Sequence, residues 1–104
     1  MAKRIANVIV DSPIREPLDY LVPADIEIQV GQRCLVPLGT RKVVGIVVGF
    51  SEESRFSKLR EVISRVDDIA PLSFGWLALT SFAARYYQSG WGQVAIPALP
   101  NFLE

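Results

Sequence analysis

The stretch Arg41-Lys42-Val43-Val44-Gly45-Ile46-Val47-Val48-Gly49-Phe50 decides the fold. Behind its two bases it is almost entirely β-branched, broken by two glycines and closed by a phenylalanine, the composition of a strand set in a sheet. Just before it, Arg33-Cys34-Leu35-Val36-Pro37 reads as another strand running into the tight connection Leu38-Gly39-Thr40. The pair predicts a β-hairpin with a short basic loop at its tip. Gly39 is the natural place there for a positive φ or for close approach by another chain. Gly45, inside the second arm, points to a bulge or a sharp bend of the kind small barrels use.

Working outward, residues 4–10 are rich in β-branched types and stop at the turn signal Asp11-Ser12-Pro13, which predicts a strand. Residues 18–22 predict a second, fenced by Pro17 and Pro23. By strand alternation Leu18 and Tyr20 face inward and Asp19 faces water. Residues 24–30 alternate polar with apolar side chains, as a half-exposed strand or extended loop does. Residues 51–58 read as an exposed loop. In residues 59–66 the spacing of Leu59, Val62, Ile63 and Val66 is helical, while the β-branched content suits a strand. From Ser73, a plausible N-cap, a helix is predicted to about Gln88, with Trp76, Leu79, Ala83 and Tyr86 or Tyr87 on its apolar face. Phe74, Leu77 and Phe82 leave little of its surface polar. Such a helix must be buried on more than one side, by the mouth of the β-structure or by another domain. Gly90-Trp91-Gly92 breaks it, and a short helical turn is predicted over residues 93–96 before Pro97 and Pro100. The terminal residues 99–104 are apolar for a free end and suggest a piece of a longer chain.

The 104 residues, half of them apolar and about a fifth charged, have the length and composition of one globular domain. Formal net charge is zero, which argues against a simple basic polyanion binder. The distribution is uneven, however. Arg33, Arg41, Lys42, Arg55, Lys58, Arg60 and Arg65 face only Glu52, Glu53 and Glu61 within their span, allowing a local positive surface. A single cysteine, Cys34, has no internal disulfide partner and sits among apolar neighbours like a core residue. With no histidine and one thiol there is no basis for a structural zinc site, and no cofactor is implied. No run reaches the roughly 20 apolar residues of a membrane span, and the N-terminus lacks a signal-peptide core. A soluble, cytoplasmic protein is expected.

Phosphate-loop, dinucleotide-binding and nucleophile-elbow motifs are all missing. Histidine acid–base chemistry is impossible, and the acidic pairs Asp67-Asp68 and Glu52-Glu53 lie in turns where carboxylates are common. A binding domain is therefore favoured over an enzyme. Two surfaces could bind: the basic one at Arg41-Lys42 with Arg55, Lys58 and Arg60, and the segment Leu18-Asp19-Tyr20 beside Gly39. Small barrels of the OB type combine such parts to hold single-stranded nucleic acid. Asp19 fits there by meeting a hydrogen-bond donor, a base amino group or a sugar hydroxyl, rather than a phosphate. In an alternative reading the barrel is a protein-interaction or interdomain docking module anchored by Trp76, Phe82, Tyr86, Tyr87 and Trp91, although for most of these a place in the core is the stronger expectation.

The ordered set Arg15-Glu16-Pro17-Leu18-Asp19-Tyr20-Leu21-Val22-Pro23, Gly31-x-Arg33-x-x-Val36-Pro37-Leu38-Gly39, Gly45-Ile46-Val47-Val48, Leu59-Arg60-x-Val62, Ala84-x-Tyr86-Tyr87 and Ala98-Leu99-Pro100 closely resembles the N-terminal domain of the PriA family of replication restart helicases. The resemblance covers essentially the whole chain. It implies a β-rich α+β fold: a small OB-like β-barrel over about residues 3–68, followed by a helical portion over about residues 72–97. It also tips residues 59–66 towards strand. The implied function is DNA binding at the 3′-hydroxyl terminus of the nascent leading strand at stalled forks, with little base preference. By position the implied site is Leu18, Asp19, Tyr20, Gly39 and Arg60, with Arg41, Lys42 and Lys58 near the DNA backbone. Leu18 stands where relatives carry an aromatic, so stacking from that position is lost. Leu38 likewise stands where the family's turn has a phenylalanine, and Arg60 where it has a lysine, offering a planar fork of donors in place of one ammonium. Implied partners are DNA, helicase domains of the same longer chain and other primosome proteins, with no membrane. The motor would lie beyond Glu104, so these residues are expected to hydrolyse nothing.

Overall fold

The computed structural model describes residues 4–54, 58–66 and 71–99. The expectations for Arg55, Asp67-Asp68 and residues 100–104 fall outside them. Five strands, β1 (Arg4–Val10), β2 (Leu18–Val22), β3 (Arg33–Leu38), β4 (Arg41–Ser51) and β5 (Ser64–Arg65), precede two helices, α1 (Phe74–Tyr86) and α2 (Trp91–Ala95). The sheet order is β2-β1-β4-β3-β5, with every neighbour antiparallel. The β3–β4 hairpin forms as predicted: Leu38 pairs with Arg41 across the two-residue loop Gly39-Thr40, and Gly39 takes φ +60°. A positive φ at the first loop residue alone is the pattern of a type II′ turn, whose twist matches that of the strands.

Residues 60–66 settle the helix-or-strand ambiguity as extended chain, because their backbone groups are claimed by two strands at once. Leu21 N–H donates to the Arg60 carbonyl at 3.0 Å and Val62 N–H to the Leu21 carbonyl at 2.9 Å. Further on, Ile63 N–H donates to Leu35 at 2.8 Å and Val66 N–H to Arg33 at 2.9 Å. One segment thus bridges β2, in parallel at Glu61, and β3, in antiparallel at β5. The sheet closes on itself as a small OB-like barrel, and pairing protects its edges.

Alternation then sorts the side chains. Ala6, Val8, Val10, Tyr20, Val22, Cys34, Val36, Val47 and Val62 fill the interior with Ile28. The bulge needed to bend the long strand lies at Val48 and not at Gly45, since Asn7 pairs with Gly49 while Val8 already pairs with Val47. Gly45 serves a different purpose. A Cβ there would collide with the Val8 side chain and lie 2.9 Å from the Ile9 carbonyl, so β1 and β4 approach only because it is glycine.

The helices cover one outer flank of the barrel. Ile9 and Ile46 meet Leu77 and Ala95 there, with Trp76, Trp91 and Leu72 partly buried around them. Ser73 caps α1 as predicted, its Oγ accepting from Trp76 N–H at 3.0 Å. The inward face of α1 is not the predicted one: Leu77, Thr80 and Ala84 are buried, whereas Leu79, Phe82 and Tyr86 are exposed. Phe82, Tyr86 and Tyr87 keep 60%, 72% and 70% of their surface accessible, so these three aromatics are not core. Only one flank of α1 has a barrel wall to pack on, and the helix is apolar on both. The second helix begins at Trp91, two residues earlier than predicted, with Gly90 N–H donating to Gln93 Oε1 at 2.9 Å.

Candidate nucleic-acid interface

Pro37 and Gly39 frame the hairpin tip, and two side chains from other strands are fastened to it. Tyr20 points into the barrel, 4% exposed, and its hydroxyl donates to the Pro37 carbonyl at 2.7 Å. Arg60, exposed, donates from Nη1 to the Gly39 carbonyl at 2.7 Å. Together they tie β2 and the closing segment to the loop. The Tyr20 hydroxyl titrates above its ordinary range, chiefly because burial disfavours phenolate; the nearby Arg60 charge works against that shift.

Leu18, Asp19, Tyr20, Lys58, Leu59 and Arg60 line a shallow pocket of about 190 Å³ between β2 and the closing segment. Gly39 joins it through Arg60, and nothing lies within 4 Å of where a Cβ on Gly39 would stand. Arg41 and Lys42 are exposed at the start of β4, paired with Leu38 and Pro37 beside the same loop. All eight sequence-derived residues are therefore gathered around one end of the barrel. They do not share one orientation. Leu18 and Tyr20 pack towards the interior, while Asp19, next between them, lies on the opposite face of β2.

On that face a polar cluster receives Asp19. Asn7 Nδ2 donates to Asp19 Oδ1 at 3.0 Å and also to Ser51 Oγ at 3.0 Å, and Ser54 Oγ donates to Asp19 Oδ2 at 2.7 Å. A carboxylate offers about four lone-pair sites. With one of these bonds on each oxygen, Asp19 is oriented and keeps acceptor capacity. Asn7, Ser51 and Ser54 were not singled out from sequence as site residues. The available signal was Asn7, the one polar side chain inside the apolar run Arg4–Val10.

Among the described residues no group of histidine, cysteine and carboxylate side chains could hold a metal ion, and no helix is long and apolar enough to cross a membrane. Cys34 is fully buried, and burial pushes its thiol up to about 12, so it stays protonated and shielded. The groups gathered at this end of the barrel are an oriented carboxylate, a guanidinium, flanking lysines and a glycine with open space beside it.

The chain is similar to the replication restart protein PriA of Haemophilus influenzae, 38% identical over 102 residues that make up 93% of this chain and 14% of that protein. It is 31% identical to the corresponding protein of Rickettsia felis over 97 residues, 93% of this chain and 15% of that one. The chain thus spans about a seventh of the length of these relatives. The profile described as the 3′ DNA-binding domain (3′BD) of PriA matches residues 7–100. With nearly the whole chain matched and the OB-like barrel in place, the chain belongs to the PriA 3′ DNA-binding domain family.

Proposed function

We propose that this domain holds the 3′-hydroxyl end of a DNA strand in the pocket between β2 and the closing segment, with little base preference. The observation that carries the reading is Asp19, held by Asn7 and Ser54 with acceptor capacity to spare, beside a guanidinium fastened to Gly39. Asp19 accepts a hydrogen bond from the terminal nucleotide. Arg60, with one N–H on Gly39, has further donors for the terminal hydroxyl or the adjacent phosphate. Tyr20 shapes the pocket from beneath by anchoring the hairpin, and Gly39 admits the ligand to backbone groups. Leu18 and Leu59 supply apolar contact to a base, while Lys58, Arg41 and Lys42 meet the backbone. Hydrogen bonds to a chain end and contacts to phosphate carry little sequence information, hence the tolerance of any base.

Within a longer chain, as the PriA relatives have, the domain delivers the leading-strand end at a stalled fork to helicase domains in the cytoplasm and to other primosome proteins. Nucleotide hydrolysis is not expected of these 104 residues. The Asp19→Ala variant tests the pocket directly. Fluorescence titration with a short strand bearing a free 3′-hydroxyl should show weakening by about 1–3 kcal/mol, roughly 5- to 150-fold, the range for losing a hydrogen bond to a charged group. Unchanged affinity in a folded variant would remove Asp19 from the site.

A further inference from the structure

A second cavity, of about 250 Å³, lies between the chain entering β2 and the C-terminal half of α1, lined by Arg15, Ser81, Ala84, Arg85, Ser89 and Trp91. Two guanidinium groups and two hydroxyls converge on it, and no carboxylate is among its lining residues. Arg15 spends one N–H on the Gln88 carbonyl at 3.1 Å, which also ties the end of α1 to the chain before β2. Among the described residues the Arg85 guanidinium makes no hydrogen bond or ion pair, while the residue's carbonyl accepts from Gln88 N–H at 3.2 Å. Beside the cavity lie exposed rings: Phe82 sits one helical turn before Arg85 and Tyr86 one turn after Phe82, and Tyr87 meets Tyr86 edge-on with centroids 5.1 Å apart. Guanidinium donors in a cavity lined by no carboxylate, next to open aromatic faces, form the combination that holds single-stranded nucleic acid, the cations taking phosphates and the rings taking bases.

The place of this cavity matters as much as its chemistry. Arg15 precedes Leu18 by three residues, so their Cα atoms are at most roughly 11 Å apart. At about 3.4 Å per stacked nucleotide, that gap is bridged by about three nucleotides. We propose that Arg15 and Arg85 form a phosphate site for a single DNA strand, with Phe82 and Tyr86 as stacking platforms, continuous with the terminal pocket and engaging the strand a few nucleotides before its 3′ end. A protein partner would also suit the aromatic rings, but it would have to bring its own carboxylates to the two arginines. A polyanion brings its charge with it.

The inference rests on the terminal-pocket reading, and strand length separates the two. The full 104-residue chain and its Arg15→Gln/Arg85→Gln double variant are titrated with thymidine oligonucleotides of two and ten residues over a range of salt. The expected result is that the decamer binds the unaltered chain about tenfold tighter than the dinucleotide and that the double variant loses this gain. The dinucleotide affinity should stay the same, and the decamer's salt slope should become shallower by more than one unit, at about 0.7 per phosphate. Phe82→Ser should lower the decamer gain alone. If the dinucleotide binds but length brings no gain, or if the double variant keeps the gain, the strand site is overturned and the terminal pocket stands. Decamer binding without dinucleotide binding, abolished in the double variant, would support the strand site and overturn the pocket. Binding of neither overturns both.

Discussion

Cys34 illustrates how a single buried group sets a pH limit on the whole domain. Its thiol is fully enclosed in the barrel, and burial raises its folded-state value to about 12 from an ordinary 9.0. Between those values the unfolded chain has released a proton that the folded one still holds, so the unfolded state binds fewer protons and stability falls as pH rises. The loss is on the order of 1 kcal/mol per pH unit across that window, and burial of Tyr20 acts in the same direction above its ordinary value of 10.0. Thermal unfolding followed from pH 8 to pH 11 should show Tm falling steadily above pH 9. The Cys34→Ala variant should start less stable, from its cavity, and fall less steeply. Parallel slopes for the two proteins would rule the thiol out as the cause. The cysteine's place in the core was legible from its neighbours Leu35 and Val36. The Asn7–Asp19–Ser54 cluster was not, because its members are distant in sequence and meet only through the β1–β2 register and the course of the chain leaving β4.

At the scale of elements, the attachment of α2 to the barrel depends on Gly92. A Cβ at Gly92 would run into the backbone of Val10, so α2 lies directly on the end of β1 with no room for a methyl. Gly92→Ala should therefore cost at or beyond the upper end of the roughly 1–3 kcal/mol typical of overpacking, read as a lowered urea midpoint. Loss below about 0.5 kcal/mol would mean that α2 moves aside freely. The sequence read as elements came through well where local chemistry dictates structure: the hairpin around Gly39-Thr40, strands β1 and β2, and the Ser73 cap. It was less decisive where tertiary packing decides. Residues 60–66, tipped towards strand by the family resemblance alone, form the closing stave because β2 and β3 both lack a partner there, and helical spacing could not report that. The bulge fell at Val48, where β4 must pass the β1 crossing, and Gly45 was needed for close approach instead. On α1, an apolar residue at nearly every position erased the contrast by which sequence distinguishes an inner face from an outer one. The barrel selected Leu77, Thr80 and Ala84.

For the molecule as a whole, closure of the barrel is what assembles the candidate site. The closing segment carries Arg60 and Lys58 to the edge of β2, where Asp19 waits, and Tyr20 and Arg60 both fasten to the hairpin tip that presents Gly39, Arg41 and Lys42. Residues 18–20, 39 and 58–60 are scattered along the chain and meet only because residues 60–66 join two strands. The central claim is that this assembled end recognises a terminus rather than a strand in general. The direct measurement is a competition titration at fixed salt between two identical short oligonucleotides, one ending in a 3′-hydroxyl and one in a 3′-phosphate. The added phosphate removes the hydroxyl donor and sets a like charge against the Asp19 carboxylate, so the hydroxyl-ended strand should bind about tenfold tighter or more. Equal affinity for the two ends would contradict the account.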